Sequence, residues 1–324
     1  NEDANNKVDV HRLVTLLGYN FNDKVQFVSE IEFEHIKEVY VEQAFLSYSI
    51  TDNLNLRAGL MLVPMGIVNE YHEPTTFNGV ERPGMDKSII PTTWREIGFG
   101  LNGRFDDASL KYQLYAFNGF DSEGLGGSNG IRSGRAKGAE ALWNTVNLSF
   151  DLDYYGIPNL KVGVSGYFGD SNVDEGTDDP SVGIAMWGLD ARYTWNKLAF
   201  RTQFINTALD NVEAYNNFHD ADLGTSMAGY YVEASYNLLP STSSERLDLF
   251  ARFSNYDTHV EVVTNPEDFT NNGGNPAYNR DVITTGLSWH VADGAVFKMD
   301  YQIKGNEGSD DTTSVLNFGV GVWF

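Results

Sequence analysis

Histidine, cysteine, serine and the acids carry most catalytic and metal chemistry, so their spacing is the first thing to read in this sequence. The six histidines, His11, His35, His72, His219, His259 and His290, are scattered, with no HExxH and no i, i+4 pair. There is no cysteine, which removes thiolate zinc sites. GVSG at 163–166 falls one residue short of the GxSxG elbow that exposes a nucleophilic serine, and it reads as strand with small residues. A lipid hydrolase would need a serine paired with a histidine, and no spacing nominates a pair. DSNVDEG places Asp170, Asn172 and Asp174 like the start of a calcium loop. The match is partial, because Glu175 stands at the sixth position, where glycine makes the turn, and Gly176 follows one place late. The expectation is therefore a protein without a cofactor, a resident metal or a catalytic centre. What remains is electrostatic chemistry, and its meaning depends on the elements that carry the charges.

Those elements have a period of two. The chain closes on SVLNFGVGVWF, in which Leu316, Phe318, Val320, Val322 and Phe324 alternate with Asn317, Gly319, Gly321 and Trp323. The same comb recurs in segment 24–33, where Val25, Phe27 and Ile31 oppose Gln26, Glu30 and Glu32. It recurs again where Phe297, Met299, Tyr301 and Ile303 oppose Lys298, Asp300, Gln302 and Lys304. A period of two is a strand with one apolar face. About fifteen such strands can be counted, each near the ~9–11 residues that cross a bilayer at a tilt. Short turns (NFND, TDN, DD, YGIP, WN, LPSTSS, ADG) alternate with long segments at 62–94, 119–136, 170–181, 208–225, 257–279 and 306–312. Soluble sandwiches also alternate, but here the polar face mixes glycine with charges of both signs. The apolar face ends near the turns in Tyr19, Phe105, Trp195, Trp289 and Phe324, as an interfacial aromatic girdle does. The expected fold is all-β: a single antiparallel transmembrane β-barrel domain over 1–324, in the outer membrane of a Gram-negative bacterium. Phe324 at the end of its comb is similar to the signal such barrels present to their assembly machinery.

Composition agrees with this and excludes other classes. The chain of 324 residues carries a net charge of -23, which argues against a nucleic-acid partner. No apolar run is long enough for a membrane helix, and no signal peptide stands at Asn1, so an exported protein would be present here in mature or trimmed form. Taken with segment 1–9, the outer segments hold -20 of the -23. The acidity is thus a crown on a nearly neutral barrel. Solvation of exposed loops explains it most plainly, with divalent bridging to lipopolysaccharide as the sharper reading. If Phe324 is periplasmic, counting connections backward puts residues 1–9 outside. Closed bacterial barrels have an even strand number, so we expect a strand preceding residue 1 and a total of sixteen.

Segment 62–94 is too long for a hairpin and too apolar for a free crown, since Tyr71, Phe77, Ile89, Ile90 and Trp94 need burial. The space near a strand end that offers it is the barrel lumen. With RAGLMLVPMG before it, WREIGFGLNG after it and VEQAFLSYSI upstream, the passage resembles the phosphate-selective porin O and P family, in particular its Bacteroidetes-type porins. The resemblance implies a sixteen-stranded homotrimeric diffusion channel whose third large loop lines the constriction. Anion-selective members line that constriction with basic residues, whereas this loop offers Arg82 and Lys87 beside Glu70, Glu73, Glu81 and Asp86. The barrel wall adds Arg57, Arg104, Arg192, Arg201, Arg246, Arg252 and Lys298, with Glu233 among the acids, as expected pore-lining groups. Acids on an inserted loop facing a basic wall make a transverse field that favours small polar solutes. The function expected is passive diffusion of small hydrophilic solutes or ions. The alternative is a structural or assembly partner in an outer-membrane complex, with its lumen plugged.

Overall fold

The computed structural model describes residues 6–263 and 273–324. Residues 1–5 and 264–272, which hold parts of the acidic segments 1–9 and 257–279, lie outside the described residues. Fifteen strands form one sheet in strict sequence order, each hydrogen-bonded antiparallel to the next. They are β1 (Arg12–Asn20), β2 (Val25–Glu34), β3 (Glu38–Thr51), β4 (Leu54–Leu62) and β5 (Arg95–Phe105). Next come β6 (Leu110–Phe117), β7 (Asn147–Ile157), β8 (Leu160–Asp170), β9 (Gly183–Trp195) and β10 (Leu198–Asp210). The last are β11 (Ser226–Asn237), β12 (Arg246–Glu261), β13 (Asn279–Ala292), β14 (Ala295–Asn306) and β15 (Ser309–Val322). Two short helices, α1 (Met85–Ser88) and α2 (Val212–His219), lie in connections at the long-loop end.

The burial pattern is inverted relative to a water-soluble sheet. On β14 the buried set is Val296, Lys298, Asp300 and Gln302, while Phe297, Met299 and Tyr301 are exposed. The same inversion places Glu30, Glu32, Gln113, Gln203, Glu233 and Arg252 inside and Leu114, Leu189, Phe200, Val232 and Leu249 outside. An apolar surface of this extent is stable against lipid and not against water. Tyr19, Phe105, Trp195 and Trp289 are exposed beside the short turns, at the level of a membrane interface.

The connections differ from the sequence expectation most in two places: the segment expected at 119–136 extends over 118–146 between β6 and β7, and another is shorter. Segment 306–312 is not a long loop: 307–308 is a two-residue turn, and the acids Asp310 and Asp311 belong to β15. Polarity there marks a strand that continues past the apolar band into water, which turn-counting from composition cannot separate from a loop. Residues 35–37 likewise make a tight turn, with His35 and Ile36 at φ 52° and 63°. The left-handed pair matches the right-handed twist of the flanking strands.

Segment 63–94, between β4 and β5, rolls the sheet into a barrel around itself. Its residues bond to β6 (Glu70 to Gln113), β8 (Gly66 to Ser165), β10 (Ile67 to Gln203), β11 (Asn78 to Glu233) and β14 (Val80 to Asp300). A single segment reaches strands from β6 to β14 only if the sheet encircles it. Among the described residues β1 and β15 each pair on one side alone, with β2 and with β14.

Candidate functional site

The inserted segment is built as a small apolar core inside a polar tube. Met65, Met85, Ile89, Ile90 and Trp94 are fully buried, and the Trp94 ring packs on Phe120 and Tyr167 at 4.8 and 4.6 Å between centroids. Asn69 ties the two ends of the segment together. Its Nδ2 donates to the carbonyls of Val63 and Trp94, and its Oδ1 accepts from the Trp94 amide, each at 2.8 Å. Connection 118–146 packs on top: Arg132 donates to the Thr92 carbonyl at 2.6 Å, and Arg135 to those of Pro91 and Thr93 at 2.9 and 3.1 Å. Phe77 is buried as expected, but Tyr71 is 47% exposed. Lys111 lies over the Tyr71 ring at 6.0 Å, and the ring lines a cavity.

Three of the wall cations hold this segment by its backbone. Lys298 donates to the carbonyls of Pro74, Phe77 and Gly79. Arg252 reaches the carbonyls of Asn78 and Glu81, both at 3.3 Å, and the Glu233 carboxylate at 3.2 Å. Arg201 donates to the Thr76 carbonyl at 3.1 Å. Nine tenths or more of Lys298, Arg252 and Glu233 is buried. Among the other wall residues, Arg57 lies over the Phe45 ring and within 3.5 Å of the Tyr115 hydroxyl. Arg192 pairs with Asp190 at 3.3 Å. Arg104 and Arg246 sit exposed at the short-turn end, beside Asp106 and Asp248, away from the waist. The alternation that predicted their inward side does not carry their height along the barrel.

Of the charged residues on the segment, Glu70 accepts from Gln113 at 2.8 Å, while Glu81 and Lys87 are exposed. Asp86 is fully buried and accepts from Gln203 Nε2 at 2.9 Å; burial pushes its carboxyl up to about 6. Burial likewise raises Glu73 and lowers Arg82 to about 10, the latter with Arg12 and Arg132 nearby. His72 is buried against Glu32 on β2 and Glu42 on β3, and burial holds its imidazole down to about 3.

The segment leaves a cavity on each side. Toward the long loops lies one of about 700 Å³, whose charged lining is Arg82, Lys87, Arg132, Arg252, Arg280 and Lys304 against Glu34 and Glu81. Toward the short turns lies one of about 230 Å³, lined by Lys161, Arg192 and Arg201 with Tyr71 and Thr76. The waist is therefore richer in cations than the segment's own sequence suggests. Arg132, Arg280 and Lys304 come from elsewhere in the chain, and nothing in their local sequence signals that they converge.

The calcium candidate is not assembled. Asn172 Oδ1 accepts from the amides of Asn144 and Thr145 and from the Thr145 hydroxyl, at 2.9, 2.9 and 3.1 Å. Its ligand oxygen is thus committed to holding connection 118–146, while Asp170 and Asp174 are exposed.

Comparison with known proteins gives the same architecture. A porin of Comamonas acidovorans described as anion-selective superposes with a TM-score of 0.58 at 12% identity, covering 96% of this chain and 87% of that one. The channel DcaP of Acinetobacter baumannii gives 0.58 at 12% identity, covering 97% and 84%. OmpT of Vibrio cholerae gives 0.57 at 14% identity, covering 96% and 87%. These identities speak to the fold alone. An uncharacterized protein of Aquifex aeolicus is 32% identical over 288 residues, which is 82% of this chain. The match spans 64% of that relative's length. The family description "Phosphate-selective porin O and P" matches residues 1–317, nearly the whole sequence, and the chain belongs to that family.

Proposed function

We propose that this protein forms a water-filled channel in the outer membrane through which small hydrophilic solutes diffuse passively, with a preference for anions set at the waist. The observation that carries the reading is the segment 63–94 folded across the lumen with a cation-lined cavity on each side. A positive lining raises the local concentration of anions and costs cations energy in a narrow, partly desolvated path. Salt screens exposed loop acids over roughly a 10 Å Debye length, so the groups lining the narrow path weigh most in selectivity. Residues Glu70, Glu73, Glu81, Arg82, Asp86 and Lys87, with the wall cations, set the field.

Homotrimeric assembly is part of the same reading, supported by the trimer form in which OmpT of Vibrio cholerae is described. So is delivery by the barrel-assembly machinery through the exposed C-terminal comb ending in Phe324. Single-channel recording in a planar bilayer under a salt gradient tests the proposal. Steady conductance with a reversal potential of anionic sign is expected. A cationic sign would overturn the anion preference, and silence from folded barrel would overturn the channel itself.

A further inference from the structure

A second group of titratable side chains lies apart from both cavities, where the inserted segment meets β2 and β3. Glu32, Glu42 and His72 are 0%, 1% and 1% exposed, and one ligand atom from each lies within 4.8 Å of the others. Glu42 points inward because of a β-bulge. Glu30 pairs with Gln43 and Ile31 with Val41, so Glu42 is the extra residue between them. Bulges of this kind re-aim a side chain, and here the result is a third carboxylate beside Glu30 and Glu32. The strict period of two does not reveal it.

His72 has the orientation of a ligand. Its Nδ1 lies 3.0 Å from the Asn69 carbonyl and, as the N–H, donates to it, which leaves the lone pair on Nε2. That Nε2 is buried and has no hydrogen-bond partner among the described residues. A backbone carbonyl holding one ring nitrogen so that the other can coordinate is the usual support of a metal-bound histidine. Each glutamate sets one oxygen against an arginine: Glu42 Oε1 accepts a hydrogen bond from Arg95 at 2.9 Å, and Glu32 Oε1 makes an ion pair with Arg12 Nε at 3.1 Å. Oε2 of both is buried and without a partner among the described residues. Three lone-pair atoms in one dry place repel one another unless a proton or a cation lies between them.

The charged groups around them are mostly acids. Glu30 and Glu73 are within electrostatic reach of Glu32, as are Arg12 and Arg95. With Glu34, 3.7 Å from Arg12, the acids outnumber the guanidinium groups of Arg12 and Arg95, and such surroundings favour a cation. Arg82, the other cation near His72, has Glu81 and Asp86 of its own.

We infer that Glu32, Glu42 and His72 bind a first-row divalent cation of the zinc class, which pins the inserted segment to the β2–β3 wall. One imidazole and two carboxylates suit such an ion, whereas calcium and magnesium favour all-oxygen shells. Ligand atoms around an ion with bonds of ~2.0–2.2 Å lie roughly 3.3 Å apart, a closure that glutamate torsions supply. Solvent or a second glutamate oxygen completes the shell. Lys298, Arg252 and Arg201 hold the same segment from β14, β12 and β10, so the site adds an anchor on β2 and β3.

The test is equilibrium dialysis of EDTA-stripped, detergent-folded barrel against Zn²⁺. Asp9, His11 and His35 form a separate exposed cluster that would also take metal, so the measurement uses a His11→Ala, His35→Ala background. One Zn²⁺ per chain is expected, with affinity falling at least tenfold in His72→Ala and in Glu42→Gln. Heat-modifiable migration on gels shows whether each variant has folded. In the background protein itself, bound Co²⁺ should give the intense visible absorption of a four- or five-coordinate ion. Absence of stoichiometric binding, binding indifferent to His72 and Glu42, or only the weak absorption of aqueous Co²⁺ would overturn the site in favour of two glutamates sharing a proton.

Discussion

Asp86 is a carboxylate held in a place that disfavours its charge. Its group titrates near 3.8 when free and at about 6 when buried in α1, so the folded segment holds the proton more tightly than the unfolded chain does. Stability from this source is therefore full below about pH 3.8 and erodes as pH climbs through 6, after which it is constant. The gap amounts to at most about 3 kcal/mol. Asp86→Asn keeps an oxygen for Gln203 and removes the charge. We expect the variant to flatten the acid-to-neutral loss of segment stability, read by protease cleavage between pH 4 and 8. Anion preference in the wild type should also fall as pH rises through 6, while that of the variant stays level. A wild-type reversal potential independent of pH over this range would show that the Asp86 charge does not reach the permeation path. None of this was legible in the sequence, where Asp86 reads as one of four acids on a loop. Which acids are solvated and which are buried depends on the wall that the loop meets.

The segment 63–94 and the strands around it were legible to different degrees. Its inward course follows from an unsolvable burial problem: Ile89, Ile90 and Trp94 cannot face water, and the outer face of the barrel already belongs to lipid. Its anchoring does not follow, because Lys298, Arg252 and Arg201 read as a solvated lumen and are instead bonded to carbonyls of residues 74–81. Replacing 74–82 by a short glycine-serine linker keeps Asn69, Trp94 and the apolar core while drawing the backbone away from these three cations. The expected result is several-fold larger conductance and a stronger anion preference, since three cations then face water. Conductance equal to that of the wild type would mean that this stretch does not narrow the path. Connection lengths were less readable. The acids of 309–311 belong to β15, because a strand leaving the apolar band takes on loop composition before it ends.

At the level of the whole molecule, the number of strands has a geometric consequence. In an antiparallel meander of fifteen, β1 and β15 run in the same direction. Closing them directly would make a parallel pair in an otherwise antiparallel barrel, whereas one further strand restores the alternation and the even number. We propose that a strand N-terminal to β1 occupies this place. A chain extended N-terminally by one such strand should keep its folded mobility on gels to a higher temperature than residues 1–324 alone. Equal heat resistance would point to direct closure. The charge distribution belongs to this scale as well: cations gather around the two cavities, while acids lie both in the outer loops and buried along the barrel wall.

The sequence alone determined the class of fold, because a period of two with charges on one face and aromatics at the turn ends has one stable solution, a barrel in lipid. It also determined that segment 63–94 goes inward, from its apolar content. Tertiary structure alone decided which charges meet. Arg132, Arg280 and Lys304 join Arg82 and Lys87 around one cavity, and a single bulge turns Glu42 toward Glu32 and His72. Closing a sheet into a cylinder brings residues from all over the chain to one level, and that height is set by register and by bulges. Alternation, which records only the side of the sheet, carries no information about it.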